Sequence, residues 1–146
     1  MTKEEAIRRL KKRHYPDVTA DAFVMSAGKD QAATVNLFLI AGLAVNSEDS
    51  RDHVTPLHRA SSTGNDGSAL LLLRKGANPN VKDENNSTPL MWAAERCQST
   101  ELVVALVKAG ADLNAKAKGG LTPLGSARMM HCEENEALLK KAGAKQ

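Results

Sequence analysis

The chain has 146 residues, 42% hydrophobic and only 3% aromatic, with a formal net charge of +3. That is one ordinary domain, and its core has to be built from Leu, Val, Ile and Ala, which suits close-packed helices better than β-sandwiches. No apolar run approaches the ~20 residues that span a bilayer, and two cysteines are too few for a disulfide scaffold, which points to a reducing compartment.

The first element is a helix over residues 3–14, with Ala6, Ile7 and Leu10 on one side. Residues 1–15 hold Lys3, Arg8, Arg9, Lys11, Lys12 and Arg13 against Glu4 and Glu5, a local excess of +4 that leaves the body near −1. A body so close to neutral projects no field that asks for a polyanionic partner. The N-terminal charges have no apolar segment behind them, so no secretory signal is read and a cytoplasmic location is expected. Tyr15-Pro16 ends this helix, and Thr19 caps the next.

From there helices come in pairs: 20–29 with 31–40, 56–62 with 66–75, 89–96 with 100–109, and 123–130 with 134–142. Thr55-Pro56-Leu57 recurs as Thr88-Pro89-Leu90 and Thr122-Pro123-Leu124, in steps of 33 and 34 residues. Thr caps a helix and proline tolerates its first turn, where the missing N–H is not needed. Asp21-Ala22-Phe23 is a degenerate first copy. The second helix of each pair carries an apolar run and stops at Gly42, Gly76, Gly110 or Gly143, which step by 34, 34 and 33. Polar stretches between pairs, such as Lys82 to Ser87, read as projecting turns. Two locked periodic series identify a repeat array.

Thr-Pro-Leu-His-x-Ala (Thr55 to Ala60) and Gly-Ala-Asn-Pro-Asn (Gly76 to Asn80) at this period resemble the ankyrin repeat. The resemblance covers about residues 19–146. It implies an all-α solenoid of stacked helix-turn-helix units with projecting finger loops, whose fingers and first helices form a concave protein-binding surface. It also implies that His58 bonds backbone between repeats. The organisation is then an N-terminal capping helix and linker over 1–18, followed by four repeats at about 19–51, 52–84, 85–118 and 119–146. The helix at 3–14 is expected to cover the open face of copy one.

The copies depart from the pattern in ways that carry expectations. The residue needing positive φ after the first helix is Asp30, Gly64, Cys97 and His131 in turn, and the last two cost about 1 kcal/mol of strain there. Copy three has an extra residue between Cys97 and Leu102, and the first finger is one residue longer than the others. Gly67-Ser68 weakens the second helix of copy two. Asn135, Glu136 and Lys140 stand where earlier copies are apolar, as expected of an end that meets water.

Cys97, His131 and Cys132 lack the fourth ligand of a metal site. Equivalent loops of adjacent units lie about 10 Å apart, too far for a disulfide. No phosphate loop, nucleophile motif or paired carboxylates are present, so no catalytic residue, cofactor or metal is expected. The basic helix offers an alternative, electrostatic binding of nucleic acid or anionic membrane. It is disfavoured because no aromatic residues interleave with the charges.

The sequence therefore predicts a non-catalytic, monomeric module that binds a partner protein. Arg51 and His53 on finger one, Glu84, Asn85 and Ser87 on finger two, and Lys118 and Leu121 on finger three are the candidate contacts. Ser62, Thr63, Glu95, Arg96, Met129 and Met130 line the groove. Paired exposed methionines suit an adaptable contact surface. Trp92 is expected to be partly buried in the helix layer.

Overall fold

The computed structural model describes residues 1–29 and 31–145. Among the described residues nine α-helices form, with no strand. They are α1 (Lys3–Lys12), α2 (Ala20–Lys29), α3 (Ala32–Ile40), α4 (Pro56–Thr63), α5 (Asp66–Arg74), α6 (Pro89–Ala94), α7 (Thr100–Lys108), α8 (Pro123–Met129) and α9 (Glu133–Ala142). A short 3-10 turn lies at Lys118–Gly120. The inner helices α2, α4, α6 and α8 stack in order, the outer helices α3, α5, α7 and α9 stack behind them, and α1 packs on α3.

The capping residues act as their chemistry dictates. Thr19 Oγ1 accepts from Ala22 N at 3.2 Å, and Thr122 Oγ1 from Gly125 N at 3.1 Å. Thr55 and His58 form a reciprocal capping box at the start of α4. In copy three the position of His58 is taken by Met91, and the buried hydroxyl of Thr88 has no partner among the described residues. The outer helices stop where Gly42, Gly76, Gly110 and Gly143 adopt positive φ. Helix α1 stops earlier than the Tyr-Pro signal suggests. His14 turns left-handed at φ +68°, and Tyr15 N bonds back to Leu10 O at 3.1 Å.

Neighbouring repeats are joined by a periodic set of bonds. Asn46 Oδ1 accepts from Asn78 N (2.9 Å), Asn80 Oδ1 from Asp112 N (2.7 Å) and Asn114 Oδ1 from Lys145 N (2.8 Å). Finger backbones continue the ladder: Glu84 N bonds to Asp52 O, and Lys118 N to Asn85 O, both at 2.9 Å. Each finger is closed by one backbone bond, from Asp49 to Val54, Asp83 to Ser87, and Ala117 to Leu121. The first span is one residue longer, as the sequence implies. Left-handed residues turn the tips at His53, Asn86 and Gly120.

Three expectations are corrected. Cys97 is not left-handed. The extra residue of copy three lets the chain leave α6 through an ordinary αR cap at Glu95 and a longer turn, whereas Gly64 (φ +72°) and His131 (φ +57°) keep the left-handed form. Asp30 lies outside the described residues. Cys97 and Cys132 form a disulfide with Cα atoms 4.7 Å apart, 35 residues apart in sequence. The 10 Å estimate assumed equivalent positions, and Cys132 stands one step past the equivalent of Cys97 in the 34-residue register. Closing a loop of this length destabilises the unfolded chain by about 4 kcal/mol in the chain-entropy account. Lastly, Asn135 does not face water. It is fully buried, and its Nδ2 donates to Ala94 O (3.1 Å), at the end of α6, and to Arg96 O (2.9 Å), which also accepts from Ser99 N. Glu136 is half-buried between Arg128 (2.8 Å) and Lys140 (2.6 Å), and Lys140 is exposed.

At the N-terminal end Ala6 and Leu10 are fully buried, Ile7 packs beside them, and Tyr15 meets Phe38 edge-on, with centroids 5.1 Å apart. Phe38 in turn stacks on Phe23 at 5.4 Å. Burying Leu10 and Ala6 contributes about 3 kcal/mol. Deleting residues 1–14 is therefore expected to lower amide-exchange protection across residues 20–40 before any other part of the chain. Unchanged protection there would show that α1 is not a cap.

His58 is fully buried. Its Nδ1 accepts from Thr55 N at 3.2 Å, which fixes the proton on Nε2, and Nε2–H donates to Ser87 O across the repeat boundary at 3.0 Å. Burial pushes its pKa below the ordinary 6.5, against smaller raising contributions from the Ser87 carbonyl, Asp83 and Glu48. Below pH 6.5 the unfolded chain takes up a proton that the folded chain refuses. Stability present above pH 6.5 is thus lost as pH falls toward the folded value, with a slope of up to about 1.4 kcal/mol per pH unit. Denaturant titrations at pH 7 and pH 5.5 should show a smaller pH loss for His58→Gln than for the wild type. The exposed His53–Glu48 pair is common to both proteins and cancels in the comparison.

Candidate functional site

Finger one and the first two inner helices border an open hollow of about 320 Å³, lined by Asp21, Val24, Met25, Gly28, Lys29, Asp49, Arg51, Arg59 and Thr63. Two glycines make room for arginines of the following repeat. A Cβ on Gly28 would stand 2.7 Å from the Arg59 stem, and one on Gly64 would stand 2.7 Å from the Arg96 guanidinium. The Arg59 stem and the Arg96 guanidinium thus each lie against a glycine of the preceding repeat. Asp21 accepts from Ser50 N (2.6 Å) and Ser50 Oγ (2.7 Å), which holds finger one against α2. Those two bonds, the side-chain one first, keep the Asp21 carboxyl below its usual range.

The thirteen candidate contacts are not equally free. On the fingers, Arg51, Glu84, Asn85 and Lys118 are exposed, and the backbones of Glu84, Asn85 and Lys118 belong to the finger ladder. His53 is exposed, and its Nδ1 lies 2.8 Å from Glu48, whose hydrogen bond raises the imidazole pKa. Ser87 is half-buried, with its carbonyl committed to His58. Leu121 is half-buried against Met91, Ala115 and Ala117.

Along the inner helices, Ser62 and Thr63 turn their hydroxyls back onto the Arg59 carbonyl at 2.9 and 3.0 Å. Arg96 is half-buried, and its Nη1 donates to Ser62 O at 3.1 Å. Glu95 is half-buried. Burial raises its pKa, and a hydrogen bond from Ser126 Oγ at 3.1 Å offsets part of the rise. Met129 and Met130 are 57% and 49% exposed. Trp92 is half-buried edge-on to His58, with centroids 5.8 Å apart.

Sequence reasoning passed over Met25, which is 50% exposed, and Arg59. A signal for them exists: Met25, Arg59, Trp92 and Ser126 occupy one column at the repeat spacing, on the same face as the columns that end in Met129 and Met130. Among the described residues no group of three or more His, Cys, Asp or Glu stands close enough to hold a metal ion. Nor, among them, is any helix long and apolar enough to cross a membrane.

The chain matches the family "Ankyrin repeats (3 copies)" over residues 23–117 and 67–146. It is 34% identical over 97 residues to Rabankyrin-5 of Mus musculus, covering 64% of this chain and 8% of that protein. It is 30% identical over 137 residues to Ankyrin repeat and SOCS box protein 6 of Homo sapiens, covering 89% of this chain and 32% of that protein. A transient receptor potential cation channel subfamily A member 1 homolog of Caenorhabditis elegans is 33% identical over 114 residues, 62% of this chain and 9% of the relative. The chain thus spans a third or less of these relatives. Ankyrin repeats generally serve as non-catalytic modules of protein–protein interaction. With its two periodic motif series, stacked helix pairs and laddered fingers, the chain belongs to the ankyrin-repeat family.

Proposed function

We propose that this chain is a non-catalytic, monomeric, cytoplasmic module that grips a partner protein along its fingers and inner helices, with Met129 and Met130 as the apolar anchor. The observation that carries the reading is the adjacent exposure of Met129 and Met130, two of four exposed large apolar side chains among the described residues, the others being Met1 and Met25. Met25 gives a second apolar point 104 residues earlier, at the opposite end of the stack. Between them the columns are polar: Ser62-Thr63 and then Glu95-Arg96. Those polar groups are already bonded within the protein, so a partner meets preorganised dipoles and loses little entropy in ordering them. The exposed finger residues Arg51, Glu84 and Lys118 steer the approach.

Burying one exposed methionine contributes about 1.5–3 kcal/mol, whereas a rim charge contributes under about 1 kcal/mol. Met129→Ala and Met130→Ala are expected to weaken partner binding more than Glu84→Ala or Lys118→Ala, at unchanged melting temperature. Calorimetric titration against a partner isolated by affinity capture and mass spectrometry is the measurement. Normal binding by both methionine variants would remove the anchor assignment and leave the family assignment intact.

The rival reading is an electrostatic one, resting on the basic face of α1. Part of that charge is already engaged: Arg9 pairs with Glu5 at 2.7 Å, and Arg13 donates to Thr34 Oγ1 at 3.3 Å. Reversing Arg8, Lys11 and Lys12 to Glu is expected to leave affinity for the protein partner nearly unchanged. If DNA or anionic vesicles instead bind the wild type tightly, with a salt slope that shrinks on charge reversal, the electrostatic reading takes its place.

A further inference from the structure

We infer that Cys97 and Cys132 form a reversible thiol–disulfide switch that sets how firmly the C-terminal repeat is held to the array. These are the only two cysteines of the chain, and they are joined across the boundary between copies three and four. The bond is open to exchange from one side: Cys97 is exposed in the turn after α6, while Cys132 is 2% exposed at the cap of α9.

The boundary that it crosses is weak without it. Among the described residues copy four packs on copy three alone, α8 against α6 and α9 against α7, and each repeat depends on such nearest-neighbour contacts. At that interface a buried Asn135 stands where Leu102 stands in copy three, and its Oδ1 has no hydrogen-bond partner among the described residues. An unsatisfied buried acceptor subtracts from the interface that a leucine would have strengthened. Met129 and Met130 lie on this same unit, between the end of α8 and Cys132.

The reduced state is accommodated as well. Met130 O lies 3.8 Å from Cys97 Sγ, and Glu95 O lies 3.6 Å from Cys132 Sγ, so each thiol finds a carbonyl to receive its weak S–H donor. The two bonds from Asn135 Nδ2 to Ala94 O and Arg96 O keep the two loops in register when the covalent link is open. The bond can therefore re-form once an oxidant returns.

The exchange partner is a small dithiol or a dithiol protein. One thiolate of the dithiol attacks Cys97 Sγ, the Cys97–Cys132 bond breaks, and Cys132 leaves as a thiolate that takes up a proton. The second thiol of the dithiol then attacks its own mixed sulfur and releases the Cys97 thiol. One disulfide and one dithiol give two cysteine thiols and one oxidised dithiol. The reverse exchange with glutathione disulfide closes the bond and yields two molecules of glutathione.

The test is amide exchange read by mass spectrometry on the full chain, oxidised and after treatment with dithiothreitol, with alkylation to count free thiols. Residues 123–142 are expected to exchange up to roughly 1,000-fold faster after reduction, while residues 20–74 stay unchanged. Glutathione disulfide should restore protection. The double variant Cys97→Ser/Cys132→Ser should match the reduced protein and ignore dithiothreitol. Equal protection in both states would overturn the switch. So would loss of protection across all four repeats, which marks a purely structural bond, or two free thiols persisting in glutathione disulfide while the protein is folded. The effect on binding rests on the proposed methionine anchor, and the exchange measurement does not, because it needs no partner. A protection change alongside normal binding by both methionine variants would retain the switch and reject the anchor.

Discussion

Every functional surface of this protein depends on burial between adjacent repeats, because no repeat holds its own shape alone. Helices of six to ten residues are too short to persist in water by propensity. Each is held by the apolar layer it shares with the next pair and by polar bonds at the edges of that layer. Asn46, Asn80 and Asn114 fix one edge, and the finger ladder with His58–Ser87 fixes the other. The spacing of the fingers, and so of any contacts on them, is inherited from these bonds.

The helices were legible because their signals are local and repeated. Thr-Pro starts, glycine stops and the length between them are read directly, and the observed boundaries differ from the expected ones by at most two residues. Features that depend on how a turn is routed were less legible. Cys97 was aligned to a left-handed position by counting, yet one inserted residue changed the turn and brought its sulfur to Cys132. Asn135 looked like an outward polar residue because asparagine is usually solvated. Its burial is matched by the carbonyls of Ala94 and Arg96 that its amide reaches, a pairing that no sequence pattern displays.

The candidate site was legible as a set of columns and less so as a set of free groups. Periodicity places residues on a face but does not say which of them are already bonded. Ser62, Glu95 and Arg96 share the groove columns with Met129 and Met130, yet only the methionines present a large unbonded surface. Met25 escaped notice because it lies in the degenerate first copy, where the motif that anchors the alignment is absent.

The two ends of the array are stabilised by different means, and this has a consequence for stiffness. Three of the four aromatic residues, Tyr15, Phe23 and Phe38, form one cluster beneath α1. Such apolar packing is insensitive to redox conditions. The last repeat has no aromatic residue. Its closing elements are an Arg128–Glu136–Lys140 ion network, a buried asparagine and a disulfide. The ion network is partly exposed, so solvent screening reduces its contribution. Opening in a linear array follows local stability. The hollow around Met25 therefore borders redox-insensitive packing, and the Met129–Met130 pair borders the boundary that the disulfide crosses. A partner spanning both would meet a fixed template first and a surface whose order depends on chemical state second.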